Sequence, residues 1–318
     1  MNQTVRDVSS VTRVDHDEAM RITAVEYRKF ADLMRSLSPD EWAAQTNCTL
    51  WDVRAMCAHI VGSAASQRSP REFFRQKRGG KPINAELGLV NWWDGMNELQ
   101  VRERAGLSTD ELIAEWDEIA PRALKARTKM PKLIRSLPLL PLPEPVGRQK
   151  VSYLFDTGFT RDVWMHRIDI ATAIGKEPDF DADHDGRIVE DIVTEWARIH
   201  GEPFVLELGG PAGGTFTQGT DGEHVAIDTV DFMLILAERA DGAAARNLFM
   251  APHSSDSTWP KVIQRSRSSG TIVATASDTS GNMPRDPVWN SSGSSSSMTN
   301  CLKVKPVGPT SGTNVDRR

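Results

Sequence analysis

Thr160-Arg161-Asp162-Val163-Trp164-Met165-His166-Arg167-Ile168-Asp169 is the stretch from which the fold is read. Taken as part of a helix from about Val151 to Gly175, its surroundings place Leu154, Phe155, Phe159, Met165 and Ala173 on one face at the 3.6-residue period. Asp162, His166 and Asp169 project into that same face, while Arg161 and Arg167 point elsewhere. Carboxylates and an imidazole turned toward a core are costly unless something pairs with them, and a divalent metal is one partner for an Asp-x-x-x-His pair. Two other partners satisfy the same residues. Asp162 and His166 can hydrogen-bond to each other one turn apart, or meet an arginine from a neighbouring helix. A third ligand elsewhere in the chain separates these readings.

Working outward toward the N-terminus, Met20, Thr23, Tyr27, Phe30, Met34 and Leu37 alternate spacings of three and four, the seam of a bundle helix. Ser38-Pro39-Asp40-Glu41 has the form of a capping box, so a short helical turn follows around Trp42. A second helix, capped by Thr49, carries Val53, Met56, Cys57, Ile60, Val61 and Ala64 on one face. His59 lies well off that stripe, which makes it either a surface histidine or a side chain aimed into a cleft between helices. Arg68 to Trp93, with its Gly-Gly and Trp-Trp pairs, reads as the end of this helix and a long crossing loop, in which Trp92 and Trp93 line a pocket or pack beneath the loop. Ser108-Thr109-Asp110-Glu111 caps a third helix through Leu112, Trp116, Ile119 and Ala123. Four long helices with one extended crossover describe a four-helix bundle, whose core is a place where facing helices build metal sites.

Beyond Glu177 the texture changes. Asp181-x-Asp183-x-Asp185-Gly186 imitates a calcium loop, but Ile192 stands where the bidentate glutamate belongs, so the acidic run is read as helix capping. A helix over Ile188 to Ile199 precedes three short strands, Phe204 to Leu208, Gly214 to Thr217 and His224 to Ile227, and a helix from Phe232 to Ala240. The expected organisation is a flexible N-terminal arm (1–16), a helical bundle (17–176), a small α+β domain (177–250) and a Ser-rich disordered tail (251–318).

The composition limits the function classes. A 318-residue chain with 39% hydrophobic and 25% charged residues has room for two globular cores. Its net charge of −5, with the basic excess confined to the tail, argues against nucleic acid as the main partner. Three cysteines without a CxxC pair fit a reducing compartment. With neither a secretory signal nor a membrane-length apolar run in the sequence, a cytoplasmic location is expected.

Two motifs taken together go further. Trp51-Asp52-Val53-Arg54-Ala55-Met56-Cys57-Ala58-His59-Ile60-Val61-Gly62 and Arg161-Asp162-Val163-Trp164-Met165-His166-Arg167-Ile168-Asp169-Ile170-Ala171 resemble the mycothiol-dependent maleylpyruvate isomerase family, within the DinB-like metal-binding four-helix bundles. The resemblance runs over about Asp17 to Gly175, and the segment to about Met250 looks like that family's small C-terminal domain, related to sterol-carrier folds. It implies three ligands to a divalent metal, most often zinc: His59, Asp162 in place of the family's usual glutamate, and His166. Asp169, one turn beyond His166, is placed to orient its imidazole or to serve as an alternative ligand, and Arg239 stands where the family often carries a basic residue, either holding a substrate carboxylate or lying at a helix end on the surface. The implied cofactors are the metal and a low-molecular-weight thiol, mycothiol by family. The implied activity is thiol-dependent isomerisation or S-transfer on an electrophilic small molecule, with a non-catalytic metal-binding bundle serving as a binding or regulatory module as the alternative.

Overall fold

The structure is a computed structural model that describes residues 5–143, 146–237 and 239, together with a short antiparallel pairing of Gln264–Arg265 with Ile272–Val273. The Ser-rich tail expected over 251–318 lies outside the described residues apart from that pairing.

The chain opens with a three-residue strand, β1 (Val5–Asp7), and a 3-10 turn, Val8–Ser10, before the long helix α1 (His16–Ser36). Asp15 caps α1 by accepting the amide of Glu18, and Tyr27, Phe30 and Met34 bury the seam read from the sequence. The capping box at Ser38 and Glu41 closes the one-turn α2 (Pro39–Trp42) as expected.

The second bundle helix, α3 (Val53–Gln67), is capped by Asp52 rather than Thr49 and is buried on nearly every face. A helix that is apolar all round sits at the centre of a fold. That is why the stripe on α3 was a poor guide to His59, which is buried although it lies off the stripe.

The crossing loop expected after α3 is instead a helical hairpin, α4 (Pro70–Leu87) and α5 (Asp94–Glu103). Ser69 and Pro70 supply a helix start, and Gly88 closes α4 with φ 63°, a left-handed conformation that suits glycine. Gly79-Gly80 is a packing device, not a turn. A Cβ on Gly80 would run into the backbone of Gly95 and Met96, so the absent side chain lets α4 and α5 touch backbone to backbone.

α6 (Thr109–Thr128) follows its capping box at Ser108 and Glu111. A one-turn α7 (Lys132–Arg135) and a two-strand ribbon, β2 (Leu140–Pro141) with β3 (Arg148–Gln149), then carry the proline-rich crossover. The last bundle helix starts with a π-helical turn, Tyr153–Gly158, that runs into α8 (Phe159–Ala173). α1, α6, α3 and α8 pack in a ring, each against its neighbours, around a core of Phe30, Met34, Met56, Ile60, Leu112, Trp116 and Ile170. The mainly helical fold with a four-helix bundle read from the sequence is therefore present.

The C-terminal part adds α9 (His184–His200), β4 (Phe204–Gly209), β5 (Gly214–Gln218), β6 (Glu223–Asp228) and α10 (Thr229–Leu236). β4 and β5 form the expected hairpin, with Leu206 opposite Phe216, and β6 joins β4 in parallel. The fourth strand is β1, parallel to β5, which gives the order β1-β5-β4-β6. Residues 5–10 are thus not a flexible arm. They edge this sheet and bury Val8 in its core, through backbone hydrogen bonds that leave no periodic signature in so short a segment. The second core also takes Trp164, Met165 and Ile168 from α8, so one helix serves both cores with opposite faces.

Candidate metal centre

α3 and α8 pack against each other in the ring, and the sequence periodicity of α8 turns Asp162 and His166 toward α3. His59, Asp162 and His166 are 1%, 7% and 2% exposed, and one ligand-type atom from each lies within 4.8 Å of the other two. The Asp162 carboxylate sits between the rings, Oδ2 at 3.3 Å from His59 Nε2 and Oδ1 at 3.5 Å from His166 Nε2. The two imidazoles meet edge to face at 5.1 Å, and Trp51 stacks on His59 at 5.0 Å.

Each imidazole is held from behind. His166 Nδ1 is 2.9 Å from Asp169 Oδ2, which is also 3.1 Å from Arg239 Nη2. His59 Nδ1 is 2.7 Å from Gln100 Oε1. Both Nε2 atoms are thereby directed at the same carboxylate. Burial alone would raise the Asp162 carboxyl, but the His59 and His166 imidazoles outweigh it and hold it below the usual carboxylate range. Burial likewise lowers His166, and its contacts with Asp162 and Asp169 more than reverse that, raising it above an ordinary histidine.

The donor set fits a divalent metal. His59 Nε2 is buried without a hydrogen-bond partner, an arrangement that costs on the order of 1–3 kcal/mol if left as it is. The separations of 3.3 and 3.5 Å, each to a different oxygen of Asp162, exceed the usual hydrogen-bond range, and three ligand-type atoms lie within 4.8 Å of one another, close enough to share one ion. A pocket lies beside this spot, lined by Phe73, Trp92, Trp93 and Phe159 together with Asp162 and Gln100. The tryptophan pair therefore both packs and lines a pocket.

The residues named from the sequence thus fall in one line of contacts. His59, Asp162 and His166 converge, Asp169 stands behind His166, and Arg239 stands behind Asp169 with its side chain 1% exposed. Burial lowers the Arg239 guanidinium, opposed by Asp169 and Asp162. Cys57 is buried, and burial pushes its thiol above the ordinary range, as expected of an inert packing residue. The sequence reading missed Gln100 and Gln76. Both belong to the segment read as a loop or its border, and a glutamine on a helix carries no signal that distinguishes a solvent-facing position from a buried one.

A second buried group, Glu26, His184 and Asp185, also brings three ligand-type atoms within 4.8 Å. Here cations of the chain occupy the middle. Arg167 Nη1 lies 3.0 and 2.9 Å from the two Glu26 oxygens and 3.5 Å from Asp185 Oδ1, and Lys29 Nζ lies 3.0 Å from Asp185 Oδ2. The acidic run that imitated a calcium loop is accounted for by this network and by Asp181, which accepts the amide of His184.

A four-helix bundle with a buried two-histidine, one-carboxylate cluster at its centre is the class that fold and site define. Residues 24–171, just under half of the chain, match the family model described as the mycothiol maleylpyruvate isomerase N-terminal domain. The resemblance read from the two motifs is borne out over this segment, which holds all three residues of the cluster. Crystal structures of the mycothiol-dependent maleylpyruvate isomerase and of a point mutant of it are similar at 14% and 15% identity, each with a TM-score of 0.47 and covering 72% of this chain and 93% of the other. Among curated proteins the sequence has no match. No described helix is long and apolar enough to cross a membrane.

Proposed function

We propose that this protein is a metal-dependent thiol transferase or isomerase of the mycothiol-linked type, acting on an electrophilic small molecule. The observation that carries the proposal is the buried cluster of His59, Asp162 and His166, whose ligand-type atoms lie within 4.8 Å of one another, with an aromatic-lined pocket beside Asp162. His59 and His166 would hold the metal through Nε2 and Asp162 through a carboxylate oxygen, three protein ligands that leave a position open to a further ligand. The metal, zinc by the resemblance, would supply Lewis acidity that would keep the sulfur of a low-molecular-weight thiol deprotonated at neutral pH.

The chain's own residues do the rest. Asp169 fixes the ring of His166 by accepting from Nδ1, and Arg239 neutralises Asp169 from the far side. The resemblance assigns Arg239 to a substrate carboxylate. In this geometry it would serve that role by sharing its guanidinium between the substrate and Asp169. Phe73, Trp92, Trp93 and Phe159 exclude water from the approach. Cys57, raised and enclosed, offers no competing nucleophile, consistent with a thiol supplied from outside. Addition of that thiol to an activated double bond, rotation about the resulting single bond and elimination of the same thiol gives isomerisation. Retention of the new C–S bond gives S-transfer.

The test is elemental analysis of the purified protein beside His59→Ala and Asp162→Ala, followed by assays with thiols and unsaturated acids. About one metal per chain is expected in the parent and none in either variant, with turnover only when thiol is present. Stoichiometric metal without thiol-dependent turnover would replace the proposal with a non-catalytic metal-binding module. Folded protein that takes up neither zinc, nickel nor manganese would remove the metal site altogether.

A further inference from the structure

We propose that Gln100 is a positioning residue that locks His59 in one tautomer, with the proton on Nδ1 and the Nε2 lone pair directed at Asp162, and that Gln76 and the Gly62 carbonyl hold Gln100 in the one orientation that does so. The inference rests on the metal-centre reading for its purpose but not for its geometry.

The side chains behind His59 form a chain of fixed polarities. Gly62 contributes a backbone carbonyl, which only accepts. Gln76 lies 3.1 Å from it and 3.0 Å from Glu72 Oε1 through the same side-chain atom, so that atom is the amide nitrogen. Glu72 is itself an acceptor only, because the hydrogen bonds from Arg75 hold its carboxyl down at about 2 against the opposing effect of burial. With the nitrogen of Gln76 committed, its oxygen faces Gln100 at 2.8 Å and must accept, which makes the facing atom of Gln100 its NH2 group. The other end of Gln100, now necessarily the oxygen, lies 2.7 Å from His59 Nδ1. His59 Nδ1 must therefore donate.

An amide is ordinarily free to present either end, and a histidine either tautomer. Here two successive acceptors, one of them backbone, remove both choices. The relay is buried, with Gln76 and Gln100 0% and 1% exposed, so a misplaced partner is costly. The packing that brings the relay together is also specific. A Cβ on Gly62 would lie 2.7 Å from Gln100 Cγ and 2.8 Å from Arg104 Nη1, so only a glycine lets α5 approach α3 closely enough for Gln100 to reach His59. The last residue of the helix-3 motif thus works with its histidine.

The two sides of the cluster are held differently. His166 has an anionic acceptor behind it, Asp169, whereas His59 has a neutral one. The His59 ring is oriented by geometry without an added negative charge at its back.

The experiment is heteronuclear NMR of the metal-free protein with 15N-labelled histidine, at a pH where His59 is neutral, beside competition titrations with zinc and a chelator for the parent, Gln100→Leu and Gln76→Leu. His59 in the parent is expected as the Nδ1–H tautomer. Gln100→Leu is expected to mix the tautomers and weaken zinc binding 10–100-fold, and Gln76→Leu, which frees the Gln100 amide to turn over, to weaken it less. An Nε2–H tautomer in the parent overturns the inference whether or not the protein binds metal, and it needs no variant to fold. The predicted tautomer in a protein that binds no zinc would leave the relay standing and remove the metal-centre reading instead. Unchanged zinc affinity in a folded Gln100→Leu variant would show that the relay does not position the ligand.

Discussion

Two buried groups of this molecule look alike when reduced to residue types, and they are built to opposite ends. Glu26, His184 and Asp185 surround cations already attached to the chain, Arg167 and Lys29. The contacts there are short, at 2.9 to 3.0 Å for Arg167 to Glu26, His184 to Glu26 and Lys29 to Asp185, and the network ties α1, α8 and α9 together. In the cluster of His59, Asp162 and His166, no lysine or arginine among the described residues reaches the middle, the separations are longer than hydrogen bonds, and one imidazole nitrogen is left over. The first group is a finished structural joint. The second has the donors of a cation site without a cation from the described residues, and the difference shows that a count of His and carboxylate neighbours says little until the positions of Lys and Arg are known.

The largest expected effect lies in the joint. Arg167→Met leaves Glu26 without its arginine partner inside the core and is expected to cost about 3–5 kcal/mol, read as a lowered urea midpoint, with metal content unchanged. A variant of parental stability would break the contrast from the structural side. A smaller effect is expected behind the metal ligands. Asp169→Asn keeps an acceptor for His166 Nδ1 but removes its charge, and zinc affinity measured by chelator competition should fall about 10–100-fold. If Asp169→Asn binds zinc as the parent does, the two clusters differ less than their geometry suggests.

The smallest effect concerns a third, part-buried ion network, between α8 and α9. Glu195 accepts from Tyr153 and Arg161, and although burial raises its carboxyl, Arg161 and Tyr153 prevail and lower it below its ordinary value. A carboxyl lowered in the folded state contributes stability that is complete above the unfolded pKa of about 4.3 and is lost as the pH falls through the lower folded value. Glu195→Gln is accordingly expected to cost about 1 kcal/mol at pH 7 and to flatten the acid limb of the stability curve below about pH 4.5. An acid limb as steep as that of the parent would mean that other carboxyls account for it.

The reading of the chain failed where packing was carried by what is missing. Gly79-Gly80 and Gly62 look like breaks or neutral positions in sequence, yet each marks a close approach of two helices, backbone to backbone at Gly80 and against side chains of α5 at Gly79 and Gly62. The α4–α5 hairpin was hidden for that reason, and with it the two glutamines behind His59. β1 was invisible for a different reason, since an edge strand of three residues is held by backbone hydrogen bonds that any sequence can make.

What the sequence determined by itself is what periodicity and capping encode locally: the bundle helices, the β4–β5 hairpin, and the placement of Asp162, His166 and Asp169 on one face of α8. These follow from 3.6- and 2-residue repeats and from cap residues that act within one turn. Only the tertiary structure decided that His59 faces that same point, that Arg239 backs Asp169, and that Arg167 rather than an ion fills the second cluster. Those facts depend on the approach of helices far apart in the chain, and a side chain's partner across a helix interface is set by packing that no local pattern records.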